Sequence, residues 1–123
     1  MADVDKTVTL HANTFAEAVT DNSMVLVDFW AEWCGPCRMF APVYRAAAAK
    51  HPDIVFGTVD TQAERALAAE ASISSIPTLM AFKDGKLVHR QAGALPAAAL
   101  EQLIEQLRAL DVAAAEAEAA QQS

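Results

Sequence analysis

The sequence has few of the residues that several common protein classes depend on. Among its 123 residues there are only two cysteines, three histidines and nine lysines and arginines. Two cysteines cannot build the disulfide framework of a small secreted protein, and with three scattered histidines they are a poor ligand set for structural zinc. The formal charge of −7 disfavours nucleic acid or an anionic membrane surface as the main partner.

Long apolar runs are lacking as well. No stretch approaches the roughly 20 apolar residues that a membrane-spanning helix needs. Residues 1–6 lack the basic and apolar regions of a signal peptide, so we expect a cytoplasmic protein. The length indicates one domain, which we place at residues 1–110. The Ala/Glu-rich residues 111–123 are predicted to be a solvated tail, either a helical extension or disordered, with a partner-binding or oligomer-forming role as the alternative.

Both cysteines fall in one short motif, Trp33-Cys34-Gly35-Pro36-Cys37. A spacing of i, i+3 puts both sulfurs on one face of a helical turn, and proline suits the first turn of a helix. The helix N-terminus favours a thiolate, so the first thiol should have a pKa below about 8.5 and act as a nucleophile. The second cysteine is then placed to resolve a mixed disulfide. We interpret the pair as a redox-active dithiol rather than a structural disulfide, since so small a loop constrains the unfolded chain little.

The rest of the chain alternates between apolar strands and helices. Strands are predicted at residues 7–10, 24–29, 54–59, 78–82 and 86–91, and helices at 14–20, 34–49, 61–71 and from 96 onward. Asn13 and Thr61 are the predicted caps of the first and third helices, and Pro42 is expected to kink the second. Crossover connections imply parallel pairing, and Asp84-Gly85 predicts an antiparallel hairpin. The predicted class is α/β, with a mixed sheet of about five strands flanked on both faces by about four helices.

Further segments accompany the cysteine motif in a specific order. These segments are residues 27–39, Ala41-Pro42, Ile76-Pro77-Thr78, Asp84-Gly85 and Ala92-Gly93-Ala94. In this order and spacing they resemble the thioredoxin family over residues 7–110. The resemblance implies a thioredoxin fold and a monomeric general protein-disulfide reductase with no metal and no bound cofactor. It also implies two kinds of partner, disulfide-containing client proteins and an NADPH-linked thioredoxin reductase.

The resemblance also implies roles for particular residues. Cys34, Cys37 and Asp28 would be the catalytic groups. Burial raises the pKa of a carboxyl, which would let Asp28 accept a proton from Cys37; a half-buried carboxyl satisfied by hydrogen bonds is the alternative. Pro77 would be the family's cis-proline, facing the two sulfurs. The expected substrate-binding residues are Trp33, Gly35, Pro36, Ile76, Pro77, Gly93 and Ala94. For Gly93 an ordinary bulge or turn is an equal alternative.

One strand departs from the family pattern close to the predicted position of Asp28. Some family members have a lysine near the buried Asp, whereas this strand reads Phe56-Gly57-Thr58-Val59, so Asp28 is expected to titrate differently. Trp30 is expected to pack beneath the motif and Trp33 to lie at the surface, with the three histidines as ordinary surface residues.

Two other functions are alternatives to a reductase. A thiol oxidase or isomerase of the same fold is the first, although Gly-Pro between the cysteines matches the reducing members. A partner-binding module without redox activity is the second.

Overall fold

The structure is a computed structural model that describes residues 4–122, so residues 1–3 and the last residue of the predicted tail, residue 123, lie outside it. Within the described residues the elements follow the predicted order, with one helix more at the end. They are β1 (Val8–Thr9), α1 (Phe15–Thr20), β2 (Met24–Trp30), α2 (Gly35–Lys50), β3 (Val55–Asp60), α3 (Arg65–Glu70), β4 (Thr78–Lys83), β5 (Lys86–Ala92), α4 (Ala97–Ala109) and α5 (Val112–Gln122).

One sheet organises the described chain. Its strand order is β1-β3-β2-β4-β5, with β3 parallel to both β1 and β2 and with β4 antiparallel to both β2 and β5. This confirms the predicted mixed sheet, in which the crossovers give parallel pairs and the hairpin gives an antiparallel edge. Asp84 and Gly85 have φ of 53° and 80°, the backbone geometry that matches a two-residue turn to the twist of its strands.

Helices cover both faces of the sheet. On one face α2 and α4 pack against a core cluster that includes Leu26, Phe56 and Leu79. On the other face α1 and α3 pack against a cluster that includes Val27 and Phe29. Side chains alternate between the faces along a strand, so Asp28 belongs to the row of Leu26 and lies beneath α2. This alternation positions the only charged side chain of β2 on the face that also receives the cysteine helix.

The predicted cap of α1 is wrong. Thr14, not Asn13, holds the N-cap position, and its side chain does not cap the helix. Instead the Thr14 hydroxyl accepts a hydrogen bond from the backbone N–H of His11 at 2.9 Å. Asn13 lies exposed in the turn before the helix. The turn thus uses its side chains to close itself, and the helix begins two residues after Asn13.

The predicted cap of α3 is also wrong. Thr61 does not begin a helix; its hydroxyl donates to the carbonyl of Trp30 at 3.0 Å. The carboxylate of Asp60 accepts the backbone N–H of Gln62 at 2.9 Å, which holds the chain in a turn. The helix therefore starts only at Arg65 and is shorter than predicted.

The tail forms its own helix. Helix α4 ends at Ala109, and Leu110 is extended, with φ −68° and ψ 127°. Helix α5 then begins at Val112, so α4 and α5 are two separate helices rather than one continuous helix. The side chains of residues 113–121 are exposed. The division of the chain into a domain and a tail at residue 110 stays a prediction.

One histidine is more than a surface residue. The side chain of His51 is only 16% exposed, and its Nε2 lies 2.8 Å from Glu101 Oε1. Its Nδ1 lies 3.0 Å from an Nη of Arg108. His51 therefore joins the end of α2 to α4, which corrects the expectation that all three histidines are ordinary surface residues. Among residues 4–122 no helix is both long and apolar enough to span a bilayer.

Candidate active site

The two cysteines form a disulfide at the start of α2. Cys34 is the N-cap residue of the helix, in extended conformation, and Pro36 occupies the first turn. The backbone N–H of Cys37 donates to Cys34 Sγ at 3.2 Å. Because this N–H has no partner within the helix, it is free to stabilise a thiolate, and the helix dipole acts in the same direction. The predicted helix therefore begins at the cysteine motif, with Cys34 at its N-terminus.

The surface around the disulfide is uneven in exposure. Cys34 is 4% and Cys37 is 3% exposed, whereas Trp33 is 67% exposed. Gly35 and Pro36 are exposed beside Trp33. Trp30 is half-buried and packs against the disulfide, which confirms its predicted place beneath the motif. The disulfide is thus shielded from most of the solvent by an apolar surface.

Met39 is a surface residue that the sequence did not identify. The sequence placed it among the apolar positions of α2, but it is 73% exposed. It lies one helical turn beyond Gly35 and Pro36. Helical periodicity alone could not separate it from Phe40, which is buried in the core.

A second loop approaches the disulfide from across the site. The Ile76–Pro77 peptide bond is cis, as the resemblance implied. The carbonyl oxygen of Ile76 lies 3.7 Å from Cys34 Sγ. Gly93 donates its N–H to the carbonyl of Pro77 at 2.8 Å and has a φ of 98°, which favours glycine. Ala94 follows it and is exposed. The fold therefore places the Ile76 carbonyl beside Cys34, with Pro77 next to it in the chain and Gly93 hydrogen-bonded to Pro77.

Asp28 lies behind the disulfide and is 4% exposed. Within the described part of the chain its Oδ1 has no hydrogen-bond partner. Burial raises the pKa of Asp28 from an ordinary 3.8 to about 7, because the charged form loses its solvation. A carboxyl with this pKa can take up or release a proton near neutral pH. The alternative of a carboxyl satisfied by protein hydrogen bonds does not fit Oδ1.

A cavity of about 350 Å³ connects Asp28 with Cys37. Tyr44 also lines this cavity, and its hydroxyl donates to the carbonyl of Gly57 at 2.8 Å. Burial and the charge of Asp28 both raise the pKa of Tyr44 well above its usual range. The sequence treated Tyr44 as one more apolar position of α2. Its role as a neighbour of Asp28 could be read only from the packing of α2 on the sheet.

This arrangement defines the chemistry. A disulfide at a helix N-terminus, with a proton acceptor behind it and an apolar surface around it, can exchange with the thiols and disulfides of other proteins. The chain is a protein thiol–disulfide oxidoreductase.

Comparisons with known proteins give the family. A family model described as thioredoxin matches residues 6–106. A Streptomyces coelicolor protein whose name places it among the thioredoxins is 56% identical over 106 residues, covering 86% of this chain and 79% of the relative. A thioredoxin of Chlamydia trachomatis is 48% identical over 64% of this chain and 76% of its own length.

Solved structures agree with these sequences. A thioredoxin variant from Halobacterium salinarum superposes with a TM-score of 0.80 at 33% identity, covering 90% of this chain and 98% of the other. A thioredoxin from Plasmodium falciparum superposes with a TM-score of 0.76 at 35% identity, covering 81% of this chain and 98% of the other. The chain belongs to the thioredoxin family, and its predicted fold is confirmed.

Proposed function

We propose that this protein is a general protein-disulfide reductase that works by dithiol–disulfide exchange. The observation that supports this most directly is the N–H of Cys37 at 3.2 Å from Cys34 Sγ, at the start of a helix. A donor in this place stabilises a thiolate on Cys34 and makes it the attacking group. Gly-Pro between the cysteines and relatives named thioredoxin support the reducing direction.

The proposed cycle has two exchange steps. The Cys34 thiolate attacks a substrate disulfide, forms a mixed disulfide and expels one substrate thiolate. Asp28 then accepts the proton of Cys37, whose sulfur attacks Cys34 and releases the second substrate thiolate. The protein is left with the Cys34–Cys37 disulfide, the state in which the structure holds it.

The proposed substrate surface is the apolar rim of the site. It consists of Trp33, Gly35, Pro36, Ile76, Pro77, Gly93 and Ala94. The exposure of Trp33 and the position of the Ile76 carbonyl beside Cys34 support this role. An extended segment of a client protein would pair with the backbone at Ile76, as in strand addition to a sheet.

The proposed electron donor is an NADPH-linked thioredoxin reductase, which would reduce the Cys34–Cys37 disulfide after each cycle. The family membership of the chain supports this partner. A reductase of this kind acts where NADPH-derived electrons are supplied, so we propose that the present protein works in the cytoplasm. We also propose that it works as a monomer.

The test is a pair of cysteine variants in an insulin-reduction assay. Cys34→Ser should abolish turnover, because the attacking sulfur is gone. Cys37→Ser should also stop turnover but should accumulate the mixed disulfide with insulin, which a non-reducing gel detects. If Cys34→Ser retained catalytic reduction, the proposed mechanism would be wrong.

A redox titration against a thiol buffer separates the proposed function from its rivals. Thioredoxin itself has a potential of about −270 mV, and strong oxidants of this fold reach about −120 mV. A midpoint near the first value supports the reductase, and one near the second would indicate a thiol oxidase. If partner binding survived replacement of both cysteines by serine and no turnover occurred in the native chain, the protein would be a binding module.

A further inference from the structure

A row of polar side chains crosses the sheet behind the disulfide. In the strand register Asp28 pairs with Thr58, and Thr58 pairs with Thr9 on the edge strand β1. Paired residues of neighbouring strands have their side chains on the same face of the sheet. The row becomes more exposed toward the edge: Asp28 is buried, Thr58 is half-buried and Thr9 is exposed. The hydroxyls therefore lead from the buried carboxyl to solvent.

The cavity beside Asp28 follows this row. Thr58, Thr9 and Thr7 line it together with Asp28 and Cys37. Its volume of about 350 Å³ is enough for several water molecules, each of which needs about two to four polar partners. The unpartnered Oδ1 of Asp28 and the threonine hydroxyls supply such partners.

The titratable and charged groups that line the cavity with Asp28 come from three parts of the chain. The N-terminal segment contributes Asp5, the loop after β2 contributes Glu32, and α2 contributes Arg38, Arg45, Tyr44 and Cys37. On β4 the residue opposite Asp28 is Leu79, which has no charge.

Three of these groups, Asp5, Arg38 and Tyr44, are poorly suited to exchange a proton with Cys37 at neutral pH. Hydrogen bonds from Thr7 lower the pKa of Asp5, so it stays ionised. Arg38 donates its Nε–H to the carbonyl of Glu32 at 2.9 Å. Burial holds the pKa of Tyr44 high, so its hydroxyl stays neutral.

We propose that the hydroxyls of Thr58 and Thr9, joined by water in the cavity, carry the proton of Asp28 to solvent at the β1 edge. This inference rests on the proposed function. As the Cys37 S–H bond breaks, its electron pair forms the bond to Cys34 Sγ, the Cys34–substrate bond breaks, and the substrate sulfur leaves as a thiolate. The proton goes to a carboxylate oxygen of Asp28, then to cavity water and solvent.

None of the residues of the proposed substrate surface lines the cavity. A bound client covers the rim around Trp33, and both cysteines are already buried. A proton leaving through the β1 edge can therefore depart while the client is still attached. Thr58 is thus a positioning residue that acts through Asp28, and it does not touch the reacting sulfurs.

The test is Thr58→Val, which keeps the shape and removes the hydroxyl. Reduced protein is mixed with Ellman's disulfide reagent in a stopped-flow instrument; the first release of chromophore reports attack by Cys34, and the second reports attack by Cys37. In Thr58→Val the second phase should slow about tenfold at neutral pH, less than the roughly 100- to 10,000-fold effect of losing a whole acid–base group. The pH midpoint of this phase should rise, since the carboxylate loses the hydroxyl that stabilises its charge through cavity water in the proposed route, and the first phase should not change.

Two further variants make the result specific. Thr58→Ser restores a hydroxyl and should recover most of the rate and the original midpoint. Thr20→Val is the matched control, because the Thr20 hydroxyl donates to a backbone carbonyl within α1 and lies outside the cavity. It should behave like the native chain. If Thr58→Val left the second phase unchanged, or slowed it equally at every pH, the proposed route would be wrong.

Asp28→Asn separates this inference from the proposed function. If Asp28→Asn slows the second phase and Thr58→Val does not, Asp28 keeps its proposed role and only the route is rejected. If Asp28→Asn leaves the second phase unchanged, the proposed role of Asp28 fails, and the route fails with it.

Discussion

Two ionisable side chains at opposite ends of one strand pair are treated in opposite ways. Strands β2 and β4 pair Asp28 with Leu79 at one end and Met24 with Lys83 at the other, so Asp28 and Lys83 share a face of the sheet. Lys83 donates to the carbonyls of Leu107, Arg108 and Leu110 at 2.6, 2.9 and 2.7 Å. Asp28 has an oxygen without a protein partner among the described residues.

The difference between Lys83 and Asp28 shows that one sheet can hold one charged group for stability and another for chemistry. The ammonium of Lys83 completes the C-terminus of α4, where carbonyls lack helical partners and the dipole favours a cation. The charge of Lys83 therefore stabilises the fold. Asp28 is held in an environment that disfavours its charge, so its proton can move at neutral pH. An unsatisfied group marks the functional end of the sheet, and a satisfied group marks the structural end.

The largest expected effect comes from Asp28→Asn, measured as stability against pH. The pKa of Asp28 is about 7 in the folded protein and about 3.8 when unfolded, so folding takes up a proton between these values. The free energy of unfolding should therefore fall by about 4 kcal/mol as pH rises from about 3 to 8. Urea titrations of oxidised Asp28→Asn should lack this fall and show greater stability above pH 7.

The control for that experiment is the same urea titration on Lys83→Met. The free energy of unfolding of this variant should keep the full pH dependence. A native chain whose stability did not fall across this pH range would contradict the raised pKa of Asp28.

The next effect is the stability of Lys83→Met itself. Removing the ammonium leaves three carbonyls without their donor, and we expect a loss of about 2 kcal/mol, since some of them can be reached by water. Thermal unfolding measures this loss, and the redox potential should not change. Lys83→Arg should recover only part of it, because a planar guanidinium cannot direct three donors to one point as an ammonium does.

Lys86→Met is the matched control for this position. Lys86 is exposed and lies 3.7 Å from Glu116, a contact open to solvent. Its replacement should change the melting temperature far less than Lys83→Met. Equal effects at the two positions would mean that the carbonyl contacts of Lys83 add nothing to the fold.

The smallest effect is expected for Arg108→Gln. Arg108 donates two hydrogen bonds to Asp53 at 2.6 and 3.0 Å and holds the pKa of that carboxyl at about 2. The pair is solvent-exposed, so salt should screen it. The melting temperature should drop slightly at low salt, and the difference should vanish near about 1 M salt, where the Debye length is about 3 Å. A difference that persists there would indicate that the contact of Arg108 with His51 Nδ1 at 3.0 Å matters more than the charge pair.

Local signals predicted the elements but not how they begin. Short apolar runs and the Asp84-Gly85 turn placed every strand to within about two residues, because strands that are buried in a sheet need apolar side chains. Asn13 and Thr61 failed as caps because capping preference says only that a side chain can accept a backbone N–H. It does not say that Thr14 or Asp60 will close a turn nearby and delay the helix.

The site was predictable where it lies in one segment. The cysteine pair and the charge within a buried strand were readable from the sequence alone. Thr58 and Tyr44 were not, because their relation to Asp28 depends on strand register and on the packing of α2. A one-residue shift of register would turn Thr58 to the other face of the sheet. The alternation of Thr7 and Thr9 on an edge strand is a weak signal that gains meaning only once β1 is paired with β3.

The cavity beside Asp28 has a practical consequence for how the protein is handled. Asp5, Thr7 and Thr9, all near the start of the chain, line it. A label attached at Asp5, Thr7 or Thr9 would therefore change this cavity without touching a cysteine. The end of α5, whose residues 113–121 are exposed, is the safer point of attachment for reporters, surfaces or partner domains.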